Sequence, residues 1–481
     1  MASGSERYLQ YIKEVTKGTT PATPVMQKVR NTGGSGVENA RTNVTSNEIR
    51  SDRAIITSRL GNNQPNLSVP IEFSYGSYDD WMQGALGGEW AGGVSVTTTV
   101  DVTGATITSN DGSSWLDKGY NVGDYIVVSG LTVTAEDGVY YIHGIGGTGS
   151  SVLTLRQADA TTDAVFTTDT DKEDVTIISG GYGGRVVTDT IDDKITFTVS
   201  SSGKTITASK SFWIDAMVDV GDKIYFKGFT ETTNNGWHEV TDVTATVLTL
   251  GGSTLANDVK DSGDLDYSTN SGLLKCGTGL DSFTIEEGFT DVGEYVNVKG
   301  CEVASWSLSI QPDTVVTGSF DFQGTKYSGF ESSSIATSSL NTSVTPVFDS
   351  YTGLLDIPGI TDCVITGFDF TLDNGLNRRY ALMEKDACSI GAGRTNITGT
   401  INAYFPNSTL ADIYDDETEI SAKIRLVDLD ENAYLFAFPS MKLTSDSRST
   451  TENDVTESVG FQALGSDFDR TTMYIKKQPA L

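Results

Sequence analysis

Along most of the chain, apolar side chains alternate with small polar ones instead of recurring every three or four positions. Period two is the pattern of a strand with one packed face and one wet face. The clearest case is residues 301–324, CEVASWSLSIQPDTVVTGSFDFQG. Ala304, Trp306, Leu308 and Ile310 alternate there with Ser305, Ser307 and Ser309. After a turn at Pro312-Asp313, Val316, Phe320 and Phe322 alternate with Thr317, Ser319 and Asp321. This predicts a hairpin with one apolar face and one face of hydroxyls and a carboxylate. Similar alternation appears at Phe368, Phe370, Leu372; at Ile397, Ile401, Ala403, Phe405; and at Ile420, Ala422, Ile424, Leu426. Helical signals are few: YDDWMQGAL, with Ser77 as its cap and Gly87 as its stop, and a second short segment at 408–414. Residues 25–70 are polar, rich in Asn and Gly, and show little alternation before Ile55, which reads as a long loop.

An internal repeat lies between these patterns. YNVGDYIVVSGLT, EDGVYYI and SVLTL in one copy answer VDVGDKIYFKGFT, NNGWHEV and TVLTL in the other, and Val122-Gly123-Asp124 recurs as Val220-Gly221-Asp222. The lead-in Thr106-Ile107-Thr108 recurs as Thr205-Ile206-Thr207. Asp137-Gly138 and Asn235-Gly236 are hairpin-turn pairs flanked by alternation. Each copy therefore reads as a small all-β module, at 96–180 and 181–272.

Composition narrows the function. The net charge of −31 argues against coating nucleic acid, which needs a surplus of Lys and Arg on one face. The basic exception is the loop at 25–70, where Lys28, Arg30, Arg41, Arg50, Arg53 and Arg59 outnumber Glu38, Glu48 and Asp52. A basic segment in an acidic chain suits docking on an acidic neighbour. Cys276, Cys301, Cys363 and Cys388 are too far apart for metal-ligand spacing or a disulfide framework, and read as free thiols. His143 and His238 do not align between the repeats and read as strand residues. No nucleophile elbow or phosphate loop occurs, and Asp-rich stretches such as 169–174 lack the spacing of a helix-loop-helix calcium site. No secretory leader and no run of about 18 apolar residues is present, so the chain reads as cytoplasmically made, without a membrane span. No catalytic, cofactor-binding or metal site is expected.

Four ordered blocks carry a resemblance: RYLQYIKEVTKGTTP, TSNEIRSDRAI, EFSYGSYDDWMQGALGG and GFTDVGEYVNVKGCEVASWSLSIQPDTVVTGSFDFQG, with FQAL and TTMYI near the end. Together they resemble the major tail tube proteins of long-tailed, siphovirus-like bacteriophages. The resemblance implies a mainly β fold: a β-sandwich or barrel core at 1–95 and 273–481 with one or two short helices, interrupted by the two inserted modules. It implies hexameric rings stacked into a tube around an acidic channel, through which viral DNA passes without specific binding. The partners it implies are other copies of the chain and further tail proteins at the tube ends. The modules would project outward, where they can meet a host surface, and the protein would reside in the virion. The polar face of the 301–324 hairpin, with Ser305, Ser307, Ser309, Thr317, Ser319 and Asp321, is the candidate channel lining. Arg41, Arg50, Arg53 and Arg59 are the candidate inter-ring contacts. The competing reading is a β-repeat bacterial surface adhesin that binds carbohydrate, which predicts a secretion signal or an anchor. An enzyme on a β scaffold ranks third.

Overall fold

The computed structural model describes the chain apart from residues 1–5, 35, 50–51, 53–56, 188–194, 253, 262, 358–364, 406, 451–453, 467–470 and 481. The fold is mainly β, and the chain divides into two compact units. One comprises Met1–Glu89, Lys275–Asp430 and Phe436–Tyr474; the other comprises Trp90–Leu274, Glu431–Leu435 and Ile475–Leu481.

The first unit is organised by the strand Glu294–Ile310, which serves two groups of neighbours. Its first half pairs with Phe283–Phe289 and Lys326–Glu331, and Phe283–Phe289 in turn pairs with Arg7–Lys13. A register shift between Val303 and Ser305 follows, and the second half pairs with Thr317–Gln323 and Ile365–Asp373. Such a bulge bends a strand and increases its twist, which lets one strand turn from one set of partners to the next. Ala304 sits in this irregularity and is only half-buried, so the strict alternation expected from Ala304 onward begins at Ser305.

Beyond the hairpin the sheet continues. Pro65–Glu72 flanks Thr317–Gln323; Asn396–Tyr404 flanks Ile365–Asp373; Val455–Leu464 and residues 440–450 follow. Pro65–Glu72 is a correction to the loop expected through residue 70. It alternates fully, with Leu67, Val69 and Ile71 buried. Two prolines disguise it in sequence, because proline cannot donate to a ladder. It is tolerated here since, among the described residues, the flank away from Thr317–Gln323 has ladder partners only at Asn66 and Pro65, and Pro70 there accepts from the Thr32 amide without having to donate.

The packed side of this sheet is aromatic. Trp306 stacks on Phe320 with ring centroids 5.5 Å apart and planes 1° from parallel, and meets Phe370 edge-on at 5.2 Å. The helix Asp79–Leu86 lays Trp81 edge-on against Phe320 and Phe322, at 5.4 and 4.9 Å. Gly87 ends this helix at φ 69°, a left-handed conformation that glycine adopts without strain. The expected cap is different: Tyr78 occupies the N-cap position without a side-chain capping bond, while the Ser77 hydroxyl bonds to Ser74 and Ser343. The second helix is Thr409–Asp415, with Ser408 at its N-cap.

In the second unit, the strands of residues 94–180 close into a six-stranded barrel, and those of 183–269 form an eight-stranded sheet. The repeated residues make repeated bonds. Ile107 pairs with Leu153 as Ile206 pairs with Leu248; Tyr140 faces Ile126 as His238 faces Ile224. Asp137 accepts from the amides of Gly130 and Leu131, and Asn235 accepts from those of Gly228 and Phe229. This is another difference from expectation. Asp137-Gly138 and Asn235-Gly236 do not form two-residue turns. They follow short 3-10 turns, Thr134–Glu136 and Thr232–Asn234, and their side chains cap the preceding loop. Residues 91 and 273 pair through two backbone bonds of 2.9 and 2.8 Å, so the module pair leaves and re-enters the chain at adjacent points.

Candidate functional site

The residues singled out in the hairpin share one face, and cross-strand bonds join them. Ser305 donates to Asp321 at 2.7 Å, the Ser307 and Ser319 hydroxyls meet at 3.0 Å, and Ser309 donates to Asp369 at 2.5 Å. Thr317 is exposed and the other five are half-buried. The opposite side chains Trp306, Leu308, Phe320 and Phe322 are buried. Directly opposed residues in an antiparallel ladder point to the same side, so the register extends this face across the sheet. Glu72 and Ser68 lie opposite Thr317 and Asp321. Asp369, Thr371 and Asp373 lie opposite Ser309, Ser307 and Ser305. Thr398, Thr400 and Asn402 follow on the next strand, with Gln462, Gly460 and Ser458 beyond them.

Residues 304–310 and the strands Pro65–Glu72, Thr317–Gln323, Ile365–Asp373, Asn396–Tyr404 and Val455–Leu464 contain no Lys or Arg. The first basic residue is Lys442 at the far flank, opposite Gln462. The face is therefore a hydroxyl surface punctuated by Glu72, Asp321, Asp369 and Asp373. Such a surface is hydrated and anionic, with no ammonium or guanidinium to grip a phosphate. Glu38, Asn66, Ser68, Ser305, Asp321 and Asp373 line a shallow groove of about 420 Å³ on it. Among the described residues no group of His, Cys, Asp and Glu is arranged to hold a metal ion.

The basic candidates are placed only in part. Arg41 is half-buried and donates to the Gly61 carbonyl from Nε at 3.0 Å and Nη2 at 2.9 Å. This tie closes the base of a two-stranded ribbon, Asn43–Thr45 with Ser58–Leu60, every residue of which is exposed. Arg59 lies exposed on that ribbon opposite Val44. Arg50 and Arg53 lie outside the described residues. Asp369, Thr371, Thr398, Thr400 and Ser458 continue the same face and were not among the candidates. For the first four the signal was present, since they are the polar partners of the Phe368, Phe370, Ile397 and Ile401 alternation, while Ser458 lies on a strand where no alternation was read.

A family model described as phage tail tube protein matches residues 4–463, nearly the whole chain. The chain belongs to the phage tail tube family. None of the curated proteins compared with it matches. Membership makes it a structural protein of the viral tail, one that assembles with its own copies and other tail proteins into a tube. No helix among the described residues of this tube subunit is long and apolar enough to cross a membrane.

Proposed function

We propose that the chain is the major tail tube subunit of a long-tailed phage, forming hexameric rings that stack into a tube and performing no catalysis. The polar face of the long sheet lines the channel, and viral DNA passes over it into the host without specific binding. The observation that carries this reading is the extent of the face: five whole strands and part of a sixth, with hydroxyls and carboxylates throughout and no basic side chain. A polyanion sliding past needs a wetted wall with nothing to hold it, and one Lys or Arg would be repeated in every subunit. The exposed strands Asn43–Thr45 and Ser58–Leu60, with Arg41 and Arg59, reach the neighbouring ring, and Arg50 and Arg53 of the same basic segment are proposed to join that contact. The modules at 96–180 and 181–272 are insertions in the tube core and project from its outer surface.

Electron microscopy of the purified protein tests assembly: long tubes or stacked rings with a central channel are expected, and persistent monomers overturn the reading. Single cysteines at Ser307, Ser319 and Thr371, in a background lacking the native thiols, test which face lines the channel. A reagent too bulky to enter the channel should label them in monomers and not in intact tubes. Ready labelling on tubes would put this face outside.

A further inference from the structure

The last strand of the chain carries a lysine buried as deeply as any core residue. Lys476 Nζ lies 2.8 Å from Asp219 Oδ2 and 2.7 Å from Asp222 Oδ2, and the three side chains are 1%, 2% and 0% exposed. Nζ also donates to the Met217 carbonyl. Asp222 receives three further bonds: from Ser271 Oγ at 2.7 Å, Gln478 Nε2 at 2.8 Å and the Asp219 amide at 2.8 Å.

The repeat separates what is scaffold here from what is added. Asp124, the counterpart of Asp222, likewise accepts from a serine at the module's end, Ser179, at 3.0 Å, and from the Asn121 amide at 3.0 Å. The second copy differs in carrying an acid, Asp219, where the first has Asn121. Two buried carboxylates therefore stand against the one ammonium of Lys476. Burial disfavours the charged forms of acid and amine alike, and it is the neutral pair that can condense. With Nζ 2.8 Å from Asp219 Oδ2, the carboxyl carbon is one bond farther, close to the ~3–3.5 Å of a near-attack arrangement.

We propose that Lys476 and Asp219 condense into an intramolecular isopeptide bond, with Asp222 moving the proton. Asp222 takes a proton from the ammonium, and the neutral amine attacks the carboxyl carbon of protonated Asp219. The tetrahedral centre collapses as Asp222 hands a proton to the departing hydroxyl and takes one from the nitrogen. One C–N bond forms, one C–O bond breaks, one water leaves, and Asp222 ends protonated. No oxidant or cofactor takes part, and an ion cluster becomes a neutral amide and a neutral acid. Burial alone would pull the lysine's pKa down, but Asp219 and Asp222 hold it above the usual amine range. The proton therefore has to leave to a specific acceptor, and Asp222 stands 2.7 Å away. The bond would fasten the chain's end covalently to the second module, a permanent staple of the kind a mechanically loaded virion part can use.

Intact mass spectrometry of the purified full-length protein tests this, with N-terminal processing read from the terminal peptide. The expected mass is one water below that of the sequence, with a digest peptide in which Lys476 is joined to Asp219. Asp111-Gly112 and Asp137-Gly138 can lose the same water by forming succinimides. Hydroxylamine opens an imide and spares an isopeptide, so the deficit should survive it. Asp222→Asn keeps the Lys476–Asp219 pair and should return the full mass, as should Lys476→Arg. A wild-type protein at full mass overturns the proposal. So does a deficit that hydroxylamine removes or that persists in Lys476→Arg.

Discussion

Trp306 holds the polar face from behind, and two replacements there should behave very differently. The side chain is fully buried between Phe320 and Phe370, and its indole nitrogen has no hydrogen-bond partner among the described residues. Trp306→Ala removes the whole ring and leaves a cavity, which typically costs ~3–5 kcal/mol. Trp306→Phe keeps a ring stacked on Phe320. The void it leaves, on the order of 40 Å³ at about 24 cal/mol per Å³, costs ~1 kcal/mol, with about another 1 for lost transfer. Against this, the orphaned N–H disappears, and burying such a group unpaired costs ~1–3 kcal/mol. The two terms nearly cancel, so Trp306→Phe should change stability by less than about 1 kcal/mol. The assay is urea unfolding of the unassembled subunit followed by hydrogen exchange in peptides covering 301–324, which isolates this sheet from the modules. If Trp306→Phe costs as much as Trp306→Ala, the orphaned nitrogen is not a burden and the reasoning fails.

Replacing residues 92–272 with two glycines should leave a subunit that still forms tubes, because residues 91 and 273 already pair; a folded product that cannot assemble refutes a peripheral role for the modules. Changing Arg50 and Arg53 together to Glu should slow or block polymerisation while monomers stay folded, read by light scattering and circular dichroism; unaltered assembly sinks the inter-ring assignment. His238 is buried, with Nε2 3.1 Å from the Asn234 carbonyl, and burial holds its pKa below the usual histidine value. Below about pH 6.5 the unfolded chain binds a proton that the folded module refuses, so stability in 181–272 should fall as pH drops from ~6.5. His238→Gln should flatten that slope in pH-dependent hydrogen exchange, and an unchanged slope counts against the histidine as its source.

How much was legible follows from how local each feature is. The 301–324 hairpin could be read because bulky aromatics alternate with serines and the turn carries Pro312-Asp313. The repeat could be read because the same turn chemistry recurs in the same order. Pro65–Glu72 was hidden by prolines that only the strand's one-sided pairing makes acceptable. Ser77 looked like a cap, but its hydroxyl is claimed by Ser343, which no local pattern could foretell. The extent of the polar face depends on strands 60 or more positions apart lying side by side, such as Ser309 with Asp369. The Lys476–Asp222 bond spans 254 positions and gave no sequence signal at all.

The hydroxyls of the polar face matter as much as its charge. Serines left with free donors would offer each passing phosphate a hydrogen bond, but three of the six candidates donate to carboxylates or to one another within the face. The donors of those three are occupied within the face and do not turn outward. The carboxylates then act at short range, since physiological salt screens charges beyond about 8 Å. For the same reason the net charge of −31 says little about a channel, because 25 of the 64 acidic residues lie in residues 99–272. An arginine introduced on this face, at Ser307 for instance, would add a charge-assisted bond to phosphate of roughly 1.5–3 kcal/mol at every subunit. A wall repeated ring after ring turns even a weak contact into a ladder of traps. Absence of basic groups across the whole face, more than any single residue, is therefore what a channel for DNA demands.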